Sequence, residues 1–341
     1  MVNKLLTSPK DWVDSENFYK TSFVKKWYRN LAILQDIIVK ETFDFFSKQN
    51  IKSVCLPVTT GAVTSPMGLG SDSFPVPIKI NGIEMYLADS MQFHLEYMLR
   101  FLEDGVHYLM PTFRGEESDD RHLGQFYHSE AEIKGNLEDV MALVEEYTIS
   151  LLNKILVNGK EEVLEIAGTL SHIKKVIELG VNGFPRVSLE EAIRLLKNDA
   201  RYVEVNIHGY KAITTLGEKK LIEMFGGIVW LTHHDYKATP FYQARDETKK
   251  YCLNADLLFG IGEVVDCGER HENYCDLIQS MKELHVDIES YQWYCFMKDK
   301  YPLKTSEFGM GIERFLLFIL RQEDIRDMQI IPRLNNKICN P

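Results

Sequence analysis

Two arginines, a histidine and an aromatic ring lie close together in residues 113–126, which have the sequence FRGEESDDRHLGQF. The planar guanidinium group of Arg114 can hold a phosphate through two parallel hydrogen bonds. Arg121 and His122 can neutralise further phosphates, and the ring of Phe126 can stack on a purine. The segment therefore predicts a site for ATP. Taken alone, the same pattern also fits a polar hairpin with a salt-bridged arginine.

A second candidate lies in residues 309–315, which have the sequence GMGIERF. Gly309 and Gly311 allow the backbone to pass close to a ligand, because neither carries a side chain. Arg314 precedes an apolar run and would emerge at the start of a helix, where the helix N-terminus favours anions. The alternative is a glycine kink before a core helix. Together with residues 113–126, this motif favours a phosphate site.

These two motifs resemble the second and third signature motifs of class II aminoacyl-tRNA synthetases, and most closely those of the asparaginyl and aspartyl branch. Residues 86–93 (YLADSMQF) resemble the amino-acid-binding strand of that branch, and residues 256–265 (DLLFGIGEVV) resemble its metal-binding hairpin. The resemblance extends over about residues 25–335. It implies an α+β catalytic domain that uses ATP and Mg²⁺ and activates a carboxylate as an acyl-adenylate.

The resemblance also implies roles for individual residues. Arg114 and Arg314 would be catalytic because they would stabilise the charge of the reacting phosphates. The implied ATP-binding residues are Arg114, Glu116, Arg121, His122, Phe126, Glu263 and Arg314. The implied substrate-binding residues are Ser90, Gln92, Glu130 and Arg270. The implied metal ligands are Asp256 and Glu263, whose carboxylates are the oxygen ligands that magnesium prefers.

Several positions leave the substrate open. A carboxylate at Glu130 can accept a hydrogen bond from an amide but repels a second carboxylate, so the pocket would favour asparagine-like shapes. Leu95 stands where aspartyl enzymes have a lysine, although a core leucine fits equally well. Asp266 replaces a small residue and would either add a metal ligand or displace a water. For Cys267 a buried inert thiol is favoured over a nucleophile, because no paired base is evident.

The elements that must position these residues can be read from periodicity. Residues 22–49 have the pattern of a long amphipathic helix, and residues 53–58 that of a strand. Residues 77–88 alternate around the turn residues Asn81 and Gly82, which indicates a hairpin. Helices are expected in residues 137–160 and 161–180, and Ser188 with Glu191 forms a capping box that opens a further helix. Strands and helices without regular alternation predict an α+β fold with a mainly antiparallel sheet flanked by helices.

Composition and charge bear on domains and partners. We expect an N-terminal extension in residues 1–24 and one catalytic domain in residues 25–341, without an anticodon-binding domain. The chain has 39 basic and 50 acidic residues, a formal net charge of -11, which argues against a broad nucleic-acid surface. The six cysteines show no CxxC pairing, and the sequence has neither a signal-peptide pattern nor an apolar stretch long enough to span a membrane. These features favour a cytoplasmic protein that does not bind membranes. Residues 22–49 and 53–58 resemble the first signature motif of the family, a helix and a strand that form its dimer contact, and this resemblance implies a homodimer.

The chain most resembles stand-alone archaeal-type asparagine synthetase-related proteins, and this resemblance implies an asparagine synthetase-like ligase. An acyl-adenylate of a small-molecule or peptide carboxylate would be captured by ammonia, and tRNA is an unlikely partner. Several alternatives remain open. One alternative is an enzyme that forms an amide or a nitrile on a peptide or metabolite carboxylate. Another is transfer of an aminoacyl group to a protein side chain or to tRNA, with or without a separate anticodon-binding partner. The last is a non-catalytic amino-acid sensor.

Overall fold

The computed structural model describes residues 5–64, 69 and 73–340. In this part of the chain the strands are β1 (Lys52–Ser53), β2 (Thr59–Thr60), β3 (Val76–Ile80), β4 (Ile83–Leu87), β5 (Gly105–Phe113), β6 (Gln125–Lys134), β7 (Arg186–Ser188), β8 (Val203–Val205), β9 (Lys211–Ile213), β10 (Ile228–Thr232), β11 (Asn254–Phe259), β12 (Gly262–Glu269), β13 (Thr305–Gly311), β14 (Arg333–Leu334) and β15 (Lys337–Ile338). The helices are α1 (Phe18–Ser22), α2 (Lys26–Lys48), α3 (Gln92–Met98), α4 (Leu137–Asn158), α5 (Lys160–Ala167), α6 (Ser171–Leu179), α7 (Leu189–Leu195), α8 (Thr215–Met224), α9 (Tyr274–Glu283), α10 (Gln292–Lys300) and α11 (Ile312–Leu320).

The largest sheet within the described residues has eight strands in the order β1, β5, β6, β13, β12, β11, β10, β7. All neighbouring pairs are antiparallel except β1 with β5 and β10 with β7, at the two edges. Helices flank this sheet, so the predicted α+β fold with a mainly antiparallel sheet is confirmed.

The long N-terminal helix and the strand after it are shorter than predicted. The backbone of Lys25 is extended, and this breaks residues 22–49 into the end of α1 and the separate helix α2. In the predicted strand 53–58, only the start belongs to β1, which pairs in parallel with β5. Pro57 lies beyond that pairing and has no backbone N–H to donate.

Local turn and capping signals predicted several elements well. Asn81 and Gly82 have φ values of 52° and 83°, which confirms the hairpin turn between β3 and β4. Ser188 accepts a hydrogen bond from the backbone of Glu191 at 3.3 Å and caps α7. Residues 161–180 form two helices rather than one, because Gly168 takes a left-handed conformation, φ 72°, and ends α5.

One face of the large sheet is apolar and packs on helices, and the other face is turned away from them. Ala131, Cys267 and Phe308 are fully buried and pack in one apolar core with residues of α2, α4 and α11. Burial, followed by the effect of Asp266, raises the pKa of the Cys267 thiol well above its ordinary value. Since successive residues of a strand point to opposite faces, the neighbours of these three residues face away from the helices. Cys267 is therefore a core residue.

The N-terminal segment packs on the rest of the molecule. Phe18 is buried, and Trp12 donates a hydrogen bond from Nε1 to Asp327 Oδ1 at 2.7 Å. The division of the chain at residue 24 stays a prediction, and residues 1–4 of the predicted extension lie outside the described residues. Among the helices of the described residues, none has the length and hydrophobicity needed to cross a membrane.

Candidate active site

A cavity of about 320 Å³ lies on the face of the large sheet that is turned away from the helical core. It brings together most of the residues that the sequence singles out. Those that line it are Ser90, Gln92, Arg114, Glu116, Arg121, His122, Phe126, Glu130, Glu263 and Arg314. Arg270 and Asp256 do not line it and border two neighbouring cavities instead.

Arg114 lies just after β5, where its backbone N–H donates to Gly124 O at 3.0 Å. This bond closes the loop between β5 and β6. The guanidinium group lies 5.4 Å from the centroid of the Phe126 ring and 3.9 Å from Glu116 Oε1. Its Nε is buried and has no hydrogen-bond partner among the described residues. The group is thus held in place while part of its donor capacity remains available to a ligand.

The other basic side chains of this loop contact carboxylates. Arg121 Nη2 lies 3.4 Å from Glu218 Oε2, and His122 Nδ1 lies 3.0 Å from Asp119 Oδ1. Burial, and then the nearby Glu263 carboxylate, raise the pKa of Glu218 to about 7. An arginine paired with such a carboxylate presents its remaining N–H groups in a fixed direction.

Arg314 reaches the same end of the cavity from the other signature motif. It begins the first turn of α11, and its Nη1 donates to Glu263 O at 2.8 Å. Glu313 beside it is buried and accepts hydrogen bonds from the backbone of Tyr127 and from Gln329. These contacts fasten β6 to α11. Two arginines of the loop between β5 and β6 and one from α11, far away in sequence, therefore line one cavity, and they form an anion site.

Glu130 is at the centre of a second group of polar side chains at the other end of the cavity. Its carboxylate accepts hydrogen bonds from Ser90 Oγ at 2.7 Å and from the hydroxyl of Tyr108, and it lies 2.9 Å from His128 Nδ1. Burial opposes ionisation, but His128, Tyr108 and Ser90 together lower the pKa of Glu130. The carboxylate is therefore a fixed negative charge inside the cavity. Ser90 binds it directly, so these two predicted substrate contacts act as one unit.

Gln92 begins α3 and points toward the same end. Its Nε2 donates to the hydroxyl of Tyr242 at 3.2 Å. Its Oε1 is buried and has no hydrogen-bond donor among the described residues. A buried acceptor without a donor costs free energy, of the order of 1–3 kcal/mol, unless a ligand satisfies it. Gln92 is thus positioned to accept a hydrogen bond from a substrate amine.

Arg270 was predicted to read the side-chain end of the substrate, but its surroundings differ from that expectation. Its side chain is completely buried, and Nη2 lies 3.0 Å from Glu132 Oε2 and 3.4 Å from Glu307 Oε1. The ring of Tyr242, which lines the main cavity, packs 4.8 Å from the guanidinium group. Arg270 itself borders a second cavity of about 240 Å³. Its direct contact with a substrate stays a prediction.

The predicted metal ligands share a cavity, and Glu263 also lines the main one. Asp256 and Glu263 both line a cavity of about 160 Å³ together with Asp266. His234 Nε2 lies 3.1 Å from Asp256 Oδ2, and although burial opposes it, this carboxylate raises the pKa of His234 to about 9. No group of three metal-binding side chains occurs among the described residues. Magnesium commonly needs only one or two carboxylates besides water and phosphate, so Asp256 and Glu263 fit such an ion.

Several residues at the site escaped the sequence-based prediction. Glu307, Tyr242 and Glu313 line the cavity, and Glu218 holds Arg121 at its edge. Glu313 could have been found, since it precedes Arg314 within the recognised motif. Nothing local in the sequence marks Glu307, because its place beside Arg270 depends on the pairing of β13 with β6 and β12.

Residues 15–335 match the family described as tRNA synthetases class II (D, K and N). The probable cytoplasmic asparagine–tRNA ligase of Encephalitozoon cuniculi is 30% identical over 268 residues, which make up 76% of this chain and 58% of that protein. The asparagine–tRNA ligase of Thermoplasma acidophilum is 27% identical over 333 residues, 96% of this chain and 72% of that protein. The chain thus spans little more than half the length of the first of these relatives.

A solved structure of the asparaginyl-tRNA synthetase from Pyrococcus horikoshii, in complex with asparaginyl-adenylate, superposes with a TM-score of 0.83. The two chains are 25% identical, and the similarity covers 93% of this chain and 71% of the other. The asparaginyl-tRNA synthetase of Entamoeba histolytica has the same fold, with a TM-score of 0.81. The resemblance to the catalytic core of this branch is therefore confirmed, as is the expectation of ATP and Mg²⁺, the cofactors of class II synthetases.

The prediction of an ammonia-dependent ligase is wrong, as is the prediction that tRNA is an unlikely partner. The relatives are named as tRNA ligases, which supports tRNA as the acceptor. That prediction rests on the expected absence of an anticodon-binding domain, on the asparagine synthetase-like length and on treating the net charge of -11 as if it were spread over the surface. Much of the acidity lies inside the fold, where Glu130, Glu132 and Glu307 are buried, so the formal charge does not describe the outer surface.

Proposed function

We propose that this chain, which belongs to the class II tRNA synthetases of the D, K and N family, activates an amino acid with ATP and transfers the aminoacyl group to tRNA. One observation carries the proposal. A single cavity is lined both by three arginines, Arg114, Arg121 and Arg314, and by the polar side chains of Ser90, Gln92 and Glu130. Such a cavity suits a phosphate chain joined to an amino acid.

In the first step, an oxygen of the amino-acid carboxylate attacks the α-phosphorus of ATP, and the bond to the β-phosphate oxygen breaks. Pyrophosphate leaves and the aminoacyl-adenylate remains. No protein nucleophile is required. The residues act by holding charge, because preorganised donors in an enclosed site stabilise a transition state more effectively than water does.

Arg114 suits the α-phosphate, since its Nε has no partner among the described residues and its guanidinium group lies near the Phe126 ring on which adenine would stack. Arg121, His122 and Arg314 are placed for the departing pyrophosphate. Mg²⁺ held by Asp256 and Glu263 would supply further positive charge to the phosphates. Glu116, 3.9 Å from Arg114, would keep that arginine oriented.

At the other end, the ammonium group of the amino acid would donate to Gln92 Oε1 and to the Glu130 carboxylate. This orients the substrate carboxylate toward the nucleotide. In the second step, a terminal ribose hydroxyl of tRNA attacks the carbonyl carbon of the adenylate, and AMP leaves as the carbon–oxygen bond to its phosphate breaks. Asparagine is the amino acid for which the relatives are named, so it is the first substrate to test.

A cytoplasmic homodimer is part of this proposal. The helix α2 exposes Val39 and Phe43, with 38% and 40% of their surface accessible. The adjacent strand β1 is at the edge of the large sheet, with β5 as its neighbour. An apolar strip beside an open strand edge suits contact with a second copy of the chain.

The test is a two-stage assay on the purified protein with ATP and Mg²⁺. Amino-acid-dependent exchange of pyrophosphate into ATP measures the first step, and acid-precipitable aminoacyl-tRNA measures the second. We expect Arg314→Ala to reduce exchange about 100-fold or more, since it removes a charge-assisted contact to a phosphate. Arg201→Ala is the matched control, because Arg201 is exposed, pairs with Asp199, lies over the Tyr202 ring and does not line the cavity.

Exchange without any charging of tRNA would contradict the second step and leave the first in place. Exchange that survives unchanged in the Arg314→Ala protein would contradict the assignment of the nucleotide end. Both variants should keep the thermal denaturation midpoint of the unmodified protein within a few degrees, which shows that a loss of exchange is not a loss of folding.

A further inference from the structure

Carboxylates crowd one end of the main cavity because of the pairing of three strands. In the sheet, Glu130 of β6 and Asp266 of β12 both lie opposite Gly309 of β13. One step along, Glu307 of β13 lies opposite Glu132 of β6. Residues that lie opposite one another share a face of the sheet. The four carboxylates therefore occupy adjoining positions, and Gly309 leaves open space between them.

Positive charge at this end is confined to one buried side chain. The arginines that line the cavity, Arg114, Arg121 and Arg314, pair with Glu116, Glu218 and Glu263, and among the described residues none of them pairs with these four carboxylates. Arg270 is completely buried against Glu132 and Glu307 and has no surface in the cavity, although its Nη1 lacks a hydrogen-bond partner among the described residues. His128 Nδ1 lies 2.9 Å from Glu130 Oε1 and 3.5 Å from Thr112 Oγ1.

The carboxyl groups at this end of the cavity outnumber the basic side chains that pair with them. Glu307 lines the cavity with 3% of its surface exposed, and it shares Arg270 with Glu132. Burial raises the pKa of Glu307 well above its ordinary value. Arg270 opposes this change, and the neighbouring carboxylates of Asp266, Glu130 and Glu132 add to it. A cation that enters between neighbouring carboxylates relieves their mutual repulsion.

A second observation points to a ligand. Gln92, with 7% of its surface exposed, lines the same cavity, and its buried Oε1 has no donor among the described residues. This oxygen adds an uncharged acceptor beside the carboxylates. A ligand that satisfies the whole end must therefore carry several N–H donors and positive charge.

We propose that the amino-acid end of this cavity selects a substrate with a basic side chain, whose second ammonium or guanidinium group is bound by Glu307 and Asp266. The inference rests on the proposed function and specifies the substrate class of the same site. Gln92 and Glu130 hold the α-ammonium group, and Glu307 also keeps Arg270 from meeting a substrate carboxylate. The pocket thereby disfavours aspartate strongly and asparagine to a smaller degree.

A metal ion is a poorer occupant of this end. Within the described residues, no three histidine, cysteine or acidic side chains are grouped as a metal site. The carboxylates are spaced around the open position of Gly309, and Glu130 is already engaged by Ser90 and His128 and Glu307 by Arg270. An organic cation with directed N–H groups can meet separate acceptors, whereas a bare ion would need them to converge.

The first experiment compares substrates by pyrophosphate exchange. The probes are asparagine, aspartate, 2,4-diaminobutyrate, ornithine and lysine. The compound 2,4-diaminobutyrate has nearly the chain length of asparagine but carries an ammonium group in place of the amide. We expect at least one of the three basic amino acids to exceed asparagine in kcat/KM by about tenfold or more, the effect of one charge-assisted hydrogen bond.

The second experiment removes the charges one at a time. Glu307→Gln and Asp266→Asn should each lower kcat/KM for the preferred basic amino acid at least about tenfold more than they lower kcat/KM for asparagine. Asp266 is exposed to the cavity, so its variant should fold even if Glu307→Gln does not. Glu41→Gln is the matched control, because Glu41 is equally buried but binds Ser150 and Lys154, away from the cavity.

A clear preference for asparagine or aspartate over every basic amino acid overturns the inference and leaves the proposed function intact. Failure of all five amino acids to support exchange overturns the proposed function. Calorimetric titration of the protein with 2,4-diaminobutyrate and with asparagine then decides the inference. Tighter binding of 2,4-diaminobutyrate than of asparagine, lost in the Asp266→Asn protein, supports the inference. Equal binding of the two compounds overturns it.

Discussion

Replacing Arg114 by alanine removes the group placed nearest to the reacting phosphate. About a third of this side chain, 34%, is exposed, and its Nε is buried without a hydrogen-bond partner among the described residues. Its ion pair with Glu116 is long, at 3.9 Å. Arg114 therefore contributes little to the stability of the fold, and its donors are directed into the cavity.

The expected magnitude follows from those contacts. Loss of one preorganised donor to a transition-state oxyanion costs about 3–4 kcal/mol, or a factor of 100 to 1,000 in kcat. A guanidinium group supplies two parallel donors and a full charge, so the loss should reach the upper part of that range. The ion pair with Glu116, being partly exposed, should change the free energy of unfolding by less than about 1 kcal/mol.

The assay is amino-acid-dependent pyrophosphate exchange at saturating ATP and Mg²⁺, with unfolding by urea followed in parallel. Arg114→Lys is an informative companion, because lysine keeps the charge but not the planar fork. It should recover only part of the lost rate. Arg201→Ala again serves as the control for removal of an arginine from the surface.

An Arg114→Ala protein that retains exchange within about threefold of the unmodified protein would refute the assignment of this arginine to the α-phosphate. A large loss of exchange accompanied by a large loss of stability would refute the claim that the side chain is structurally dispensable. The two measurements therefore test the chemical and the structural parts of the reasoning separately.

Three further predictions address the metal site, the core and the response to pH. Glu263→Gln should raise the Mg²⁺ concentration needed for half-maximal exchange several-fold, because an amide is a poorer ligand for a hard cation; an unchanged titration would remove Glu263 from the metal site. Phe308→Ala should lower the free energy of unfolding by about 3–5 kcal/mol in urea titrations, since Phe308 is fully buried in the core beneath the sheet. Burial lowers the pKa of His107 from 6.5 to about 4, so the unfolded chain binds more protons between these values and stability should fall as pH drops from 7 to 4, by roughly 3 kcal/mol for this group. His107→Gln should lose correspondingly less over that range, and an identical pH dependence in the two proteins would contradict the burial of a neutral His107.

The sequence by itself determined the elements and residues that depend on short separations along the chain. Asn81 and Gly82 specify their hairpin turn because both must adopt positive φ. Arg114 and Phe126 lie on one loop and the strand that follows it, so their joint presence at the nucleotide end could be read from the motif. Family membership followed from these motifs, and the matched residues 15–335 confirm it.

The tertiary structure alone decided the character of the amino-acid end. Glu130 and Glu307 are far apart in sequence, and only the pairing of β6 with β13 places them around Gly309. The same pairing puts Glu132 and Glu307 on Arg270, which changes the expected contact of that arginine with the substrate. Cross-strand register depends on the packing of whole strands against the core, and a shift of one residue would turn each of these side chains to the other face. No local pattern of residues carries that information.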